Sequence, residues 1–85
     1  MSEINAGMTN PKHYHPNCDE VLYLLEGEVD HSLGGDVVHL TPGMTMHIPT
    51  GMIHNAVNCG TIVARMVIAY SSGDRKAVML EDGQK

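Results

Sequence analysis

With 85 residues and a mass of 9.2 kDa, the chain has room for a single hydrophobic core, which excludes a two-domain enzyme. Its net charge of -5, from ten acidic and five basic residues, would repel a phosphate backbone, so we expect no nucleic-acid partner. No apolar run approaches the roughly 18–20 residues of a membrane span, so we expect a globular protein with no membrane partner.

Residues 1–5 show neither the basic start nor the apolar stretch of a secretory signal, so we expect a cytoplasmic location. Two cysteines, Cys18 and Cys59, are too few for a disulfide framework and lack the paired spacing of a thiolate zinc site. We interpret both as reduced and mainly packing. Seven methionines beside three tyrosines, with no Phe or Trp, predict an aliphatic, Met-filled core.

Short apolar segments alternate with Gly, Pro, Asn and Asp at intervals of about eight to ten residues, a spacing typical of β-sandwiches and barrels. No segment has the periodicity of a helix. In chain order, the predicted strands are a short one at 13–15, then 21–25, 28–33, 38–40, 44–48, 53–58, 62–70 and an eighth candidate at 78–80. Seven or eight strands suffice for a small antiparallel jelly-roll β-barrel. Residues 81–85 are predicted to be a flexible tail.

The remaining histidines differ in their predicted faces. His31 alternates in phase with Val29 and Leu33, so it either lines a cavity or is a core or rim histidine. His39 and His47 have the opposite parity to the apolar residues of their strands, which favours a surface or an interface.

Four side chains form a candidate metal site. His13 and His15 are two residues apart on a predicted strand, so both imidazoles point to one face. After a four-residue turn, Glu20 can return a carboxylate to the same point. A fourth ligand must come from a distant strand, and His54, which follows a Pro-x-Gly turn, is the candidate. Three imidazoles and one carboxylate suit Mn, Fe(II), Co, Ni, Cu or Zn, with one or two positions left open.

Two motifs support this site. The first, G-x5-H-x-H-x4-E-x6-G, is matched by Gly7, His13, His15, Glu20 and Gly27. The second, G-x5-P-x-G-x2-H-x3-N, is matched by Gly43, Pro49, Gly51, His54 and Asn58. On these residues the chain resembles a small single-domain cupin of type 2. The resemblance implies one jelly-roll domain over residues 1–85, with motif 1 at 7–27 and motif 2 at 43–58. It also assigns His13, His15, Glu20 and His54 to one divalent metal ion.

The segment before the first motif is short for a small cupin. Most small cupins have a strand or two before the first motif, whereas only six residues precede Gly7. We therefore expect one wall to be missing and the exposed strand edge to pair with a second copy. The predicted assembly is a homodimer.

Other residues have open interpretations. Arg65 lies opposite the apolar set of its strand, which favours a solvated or dimer-facing side chain, the alternative being a bidentate grip on a ligand carboxylate. Met46 and Met52 either line the pocket or fill the core. Tyr14 is predicted to pack, and Asn58 to tie down a turn through its amide.

Members of the cupin family include dioxygenases, decarboxylases, isomerases, epimerases, lyases and non-catalytic sugar or auxin binders. Our first hypothesis is a metal-dependent enzyme that acts on a small keto, hydroxy or carboxylate compound by oxygenation, as a dioxygenase does, or by enolisation, as an isomerase or lyase does. Glu20 is its catalytic candidate, because a carboxylate that leaves the metal can take a proton from the substrate. Alternatives are a non-catalytic binding module for a sugar or carboxylate, and a structural domain braced by the metal.

Overall fold

The computed structural model describes residues 1–80 and folds them into β-strands joined by turns, with no helix among these residues. In chain order the strands are β1 (Ser2–Ile4), β2 (His13–Tyr14), β3 (Glu20–Glu26), β4 (Val29–Leu33), β5 (Asp36–Leu40), β6 (Thr45–Ile48), β7 (His54–Asn58), β8 (Ala64–Tyr70) and β9 (Val78–Met79). The predicted tail at 81–85 lies outside the described residues. Within residues 1–80, no helix of the length and hydropathy needed to span a membrane is found.

The strands form two antiparallel sheets. One has four strands in the order β1-β8-β3-β6, and the other has five in the order β5-β4-β7-β2-β9. Strands distant in sequence are neighbours in space, because β3 pairs with β8 and β4 pairs with β7. This is the crossed connectivity of a jelly roll, and the predicted all-β, antiparallel class is confirmed.

Alternation along the strands builds the core between the sheets. In β3, Leu22 and Leu24 point inward and are buried, whereas Val21 and Tyr23 point outward. The buried apolar side chains form one cluster, which consists of Ile4, Leu22, Leu24, Val29, Leu40, Met46, Ile48, Ala56, Ala64 and Met66. As predicted from composition, the residues of this cluster are all aliphatic or Met.

The segment before the first motif differs from the prediction. Ser2–Ile4 forms a strand that pairs with β8, with Ser2 opposite Met66 and Ile4 opposite Ala64. Ile4 is fully buried, and its carbonyl accepts a hydrogen bond from the Asn58 amide at 2.8 Å. The expectation of a missing wall was wrong, because six residues are enough for one short strand. Residues 1–80 therefore contain nine strands, rather than seven or eight.

Gly27 closes the turn between β3 and β4 for two reasons. Its φ of +84° lies in the left-handed region, which L side chains rarely adopt. A Cβ atom at this position would also lie 2.8 Å from the Ala64 Cα, inside van der Waals contact. Gly27 thus allows β8 to approach the turn closely.

Candidate metal centre

The structure brings the four predicted ligand residues together between the sheets. His13 on β2 and His54 at the start of β7 are cross-strand partners, and His15 directly follows β2. Glu20 opens β3 in the opposite sheet. One possible ligand atom from each of the four lies within 4.8 Å of the others.

Backbone carbonyls orient the three imidazoles. Each ring has Nδ1 at hydrogen-bond distance from a carbonyl oxygen, with His13 at Pro11 (2.7 Å), His15 at Lys76 (2.9 Å) and His54 at Met52 (3.0 Å). A carbonyl can only accept, so each Nδ1 carries a proton and donates it, and Nε2 is the nitrogen that faces the position of a metal ion. Histidines that bind metals are held in this way by their other ring nitrogen.

The carboxylate of Glu20 faces the imidazoles in a buried environment. Its Oε1 lies 3.0 Å from Nε2 of His15 and 3.3 Å from Nε2 of His54. The His54 nitrogen is buried and makes no hydrogen bond within the described residues. Imidazole nitrogens and a carboxylate oxygen thus converge on one buried point, and this donor set fits a divalent transition metal.

Glu20 and the imidazoles beside it offset the effect of burial on each other's pKa. Burial by itself would raise the pKa of Glu20, but the neighbouring His54 and His15 lower it. Burial likewise opposes charging of His54, yet Glu20 raises the pKa of this imidazole. Because Glu20 favours protonation of His54, and a metal ion needs the unprotonated Nε2, metal binding is expected to release a proton from this imidazole.

The site opens onto a cavity of about 360 Å³. His13 and Glu20 reach the cavity, and its lining also includes the polar residues Asn10, His31, Tyr70 and Arg75 and the apolar residues Leu22, Met66, Ile68 and Met79. His15 and His54 lie behind this wall, with 2% and 1% of their surfaces exposed. A small molecule in the cavity therefore has access to the site from one side.

His31 lies in the first of its two predicted environments, the cavity wall. Its ring stacks on His54 with centroids 5.7 Å apart, and its Nδ1 is buried with no hydrogen-bond partner among residues 1–80. Burial, and then the neighbouring His54, lower the pKa of His31 to about 4. At neutral pH, His31 is a neutral polar group beside the candidate ligands.

Tyr70 and Arg75 are among the cavity residues that were not predicted from the sequence. The guanidinium of Arg75 lies 4.9 Å from the centroid of the Tyr70 ring, which in turn stands edge-on to His15 at 5.3 Å. Tyr70 has the inward parity of Met66 and Ile68, a signal that could have identified it. Arg75 lies outside any strand, so no periodicity marks it.

Several other predictions were confirmed. Arg65 points outward and pairs with Glu3, with a distance of 2.9 Å between Arg65 Nε and the carboxylate. Met46 is buried in the core and Met52 packs against it, so both act as filler. His39 and His47 are exposed.

Asn58 ties down a turn, as predicted. Its amide donates to the carbonyls of Ile4 and Ile62, both at 2.8 Å, and its Oδ1 accepts from the Gly60 N–H at 2.9 Å. The amide therefore holds the turn after β7 against the first strand.

The two cysteines differ. Both are free, as predicted, and Cys18 is buried at 2% exposure, consistent with a packing role. Cys59, in contrast, is exposed beyond the end of β7, so its predicted packing role was wrong.

A family model described as "Cupin domain" matches residues 1–70. An oxalate oxidase in complex with glycolate superposes with a TM-score of 0.87 at 28% identity, over 92% of this chain and 43% of that one. The chain thus spans less than half of the oxalate oxidase. No curated protein matches the chain.

Two further structures share the fold. An uncharacterized conserved protein with a double-stranded β-helix domain, from Klebsiella pneumoniae subsp. pneumoniae MGH 78578, has a TM-score of 0.86 at 25% identity, over 94% of this chain and 70% of that one. The S161A mutant of Bacillus subtilis oxalate decarboxylase has a TM-score of 0.86 at 19% identity, over 92% of this chain and 22% of that one, a similarity of fold alone.

Proposed function

Because the chain belongs to the cupin domain family, we propose that it binds one divalent transition-metal ion through His13, His15, Glu20 and His54. The observation that carries this proposal is the common orientation of the three imidazoles, whose Nδ1–H groups are engaged by backbone carbonyls. Three neutral nitrogens and one carboxylate suit Mn, Fe, Ni, Co, Cu or Zn. When bound, such an ion supplies Lewis acidity to a ligand oxygen.

The cavity supports a small oxygen-bearing ligand. Its volume of about 360 Å³ lies at the lower end of the range of about 300–1,000 Å³ typical of small-molecule sites. Arg75 lines it, and within residues 1–80 no carboxylate forms an ion pair with this guanidinium. A similar structure, the oxalate oxidase, contains glycolate. We therefore propose a small carboxylate, keto or hydroxy compound as the ligand, with Arg75 binding its carboxylate.

We propose that the protein acts on this ligand as an enzyme, by oxygenation or by enolisation. Glu20 lies at the cavity wall, and its neighbours His54 and His15 lower its pKa, so it is ionised at neutral pH. An ionised carboxylate within reach of the ligand can accept a proton from it. The alternatives are a binding module, in which the same ligand is held without turnover, and a domain in which the metal only braces the fold.

The metal assignment is tested by elemental analysis of purified, dialysed protein. His54→Ala is expected to lose most of the bound ion, because it removes one of four ligands. His47→Ala is the matched control, since His47 is exposed and is not one of the four grouped residues. Full metal occupancy in His54→Ala would contradict the proposed ligand set.

The ligand class is tested by binding and turnover assays with oxalate, glycolate and a panel of keto and hydroxy acids, on protein loaded with Mn or Fe(II). Oxygen consumption would indicate oxygenation, and solvent deuterium incorporation would indicate enolisation. Arg75→Ala is expected to weaken carboxylate binding, whereas Arg65→Ala, on the outer face, is not. Saturable binding without turnover would identify a binding module, and no binding by any compound would contradict the proposal.

We further propose that residues 1–85 act as one cupin domain, with motif 1 at 7–27 and motif 2 at 43–58 supplying the ligands. The support is the single apolar cluster that joins both sheets. A second core is not found among residues 1–80.

A homodimer is also proposed, on a surface other than the predicted edge. On the outer face of the four-stranded sheet, Val21 lies opposite Ala69 and Tyr23 opposite Val67. Val21, Tyr23 and Val67 are 40–47% exposed, which leaves a contiguous apolar patch that a second copy would cover. Sedimentation velocity is expected to show a dimer that Val67→Lys dissociates, and a monomeric wild type would contradict this proposal.

A further inference from the structure

Metal-binding side chains also meet on the outer face of the five-stranded sheet. Asp30 on β4 lies opposite His39 on β5, and it points outward because it alternates with the buried Val29 and His31. Glu28 precedes β4, and Cys59 directly follows the end of β7, the strand on the other side of β4. Three adjacent strands thus present carboxylates, an imidazole and a thiol at one end of the sheet.

The contacts among these side chains are close. Nδ1 of His39 donates a hydrogen bond to Oδ1 of Asp30 at 2.8 Å, and Nε2 of the same ring lies 3.3 Å from Oε2 of Glu28. Sγ of Cys59 lies 3.8 Å from Nδ1 of His39, the nitrogen that Asp30 engages, so the exposed thiol would turn towards Nε2 to share an ion with His39 and Glu28. One possible ligand atom from each of Glu28, His39 and Cys59 lies within 4.8 Å of the other two. The cysteine is free and exposed, so its thiol is available.

We propose that Glu28, His39 and Cys59 form a second metal site, which takes Zn²⁺ and completes its coordination with water. Thiolate, imidazole and carboxylate are the three side-chain ligands of protein zinc sites. Asp30 holds the ring of His39 through Nδ1–H, the arrangement in which a carboxylate orients a zinc-binding histidine. As the Zn–S bond forms, the S–H bond breaks and its proton passes to solvent, with no change in oxidation state.

This site is independent of the one in the cavity. His54 begins β7 and Cys59 follows its end, so five residues, or roughly 17 Å of strand, separate them. The two sites also lie on opposite faces of the sheet, and the cavity set contains no sulfur ligand. A protein with both sites binds two ions per chain, of which one has a thiolate ligand.

Cobalt titration of the metal-free full-length protein distinguishes the two sites, because Co²⁺ bound to a thiolate shows a sulfur-to-metal charge-transfer absorption in the near ultraviolet. The wild type is expected to develop this band, and Zn²⁺ to bleach it. Cys59→Ser is expected to abolish the band, and Cys18→Ser to retain it. His39→Ala is expected to lose it, whereas His47→Ala, which alters another exposed histidine beside a carboxylate, retains it.

Two further variants complete the test. Asp30→Asn is expected to weaken Zn²⁺ binding by roughly 10–100-fold, the usual effect of removing a carboxylate that orients a ligand. His54→Ala is expected to retain the thiolate band, so failure of the cavity site leaves this proposal intact. The absence of the band in the wild type would refute the second site, as would its persistence in Cys59→Ser.

Discussion

Acidification is expected to destabilise the metal-free protein through His31. This imidazole is 1% exposed, its Nδ1 is unpaired within the described residues, and its ring stacks on His54. Burial and the neighbouring His54 lower the pKa of His31 from 6.5 to about 4. As the pH falls from 6.5 to 4, the unfolded chain takes up a proton at this position and the folded protein does not. The free energy of unfolding therefore decreases as the pH falls and is fully retained above pH 6.5.

The magnitude follows from the two pKa values. One pKa unit corresponds to about 1.4 kcal/mol, so a pKa of about 4 instead of 6.5 costs about 3 kcal/mol of stability by pH 4. This is a substantial fraction of the roughly 5–15 kcal/mol that stabilises a typical domain.

The assay is urea unfolding followed by far-ultraviolet circular dichroism, from pH 7 to pH 4, with a chelator present. His31→Gln and His31→Phe remove the titrating group and replace it by a polar and an apolar side chain. Their absolute stabilities are expected to differ from each other. Both variants should nevertheless lose about 3 kcal/mol less than the wild type between pH 7 and pH 4. Parallel pH profiles for the wild type and both variants would refute the reasoning.

Substitutions of three other residues, Gly27, Asn58 and Asp19, are expected to change the free energy of unfolding, which urea unfolding measures. Gly27→Ala should destabilise the protein by about 2–4 kcal/mol, because it adds a 2.8 Å contact with Ala64 to the backbone strain. Gly7 has a similar φ of +78° but open space around it, so Gly7→Ala should destabilise the protein less. Equal losses of stability in the two variants would contradict the role of the contact. Asn58→Ala should lower the free energy of unfolding by about 2–4 kcal/mol, since it leaves the carbonyls of Ile4 and Ile62 without this hydrogen-bond partner. An unchanged free energy of unfolding would show that Asn58 does not stabilise the turn. Hydrogen bonds from Thr50 and His47 lower the pKa of Asp19 from 3.8 to about 2, so the stability that the carboxylate contributes is present above pH 4 and lost as the pH falls towards 2. The difference in free energy of unfolding between the wild type and Asp19→Asn should therefore become smaller as the pH falls from 4 towards 2. A difference that stays constant over this range would contradict a stabilising role of the carboxylate.

The strands and the candidate ligands could be predicted from local pattern. Period-two alternation determines which side chains of a strand face the core, and this placed Val29 and His31 together on the face that proves to be buried. The same alternation explains why His31 is inside and His39 outside. For His13, His15, Glu20 and His54, fixed spacings within short segments indicated that their side chains converge, and the structure brings them together.

Contacts between distant segments could not be predicted in this way. The prediction failed for Ser2–Ile4, because a strand of three residues has too few positions to show a period, and its pairing with β8 depends on residues sixty positions away. The carbonyl of Lys76 that orients His15 and the guanidinium of Arg75 at the cavity both come from a segment without strand periodicity.

The sequence by itself determined the all-β class, the inward and outward faces of the strands and the identity of the candidate ligands, because these follow from side-chain chemistry and from spacings of a few residues. Only the tertiary structure decided which ring nitrogen faces the metal position, what lines the cavity, and that Glu28, His39 and Cys59 meet on the outer face. The reason is physical: these features depend on how the two sheets pack and on which strands become neighbours, and that is fixed by burial of the whole core rather than by any local pattern.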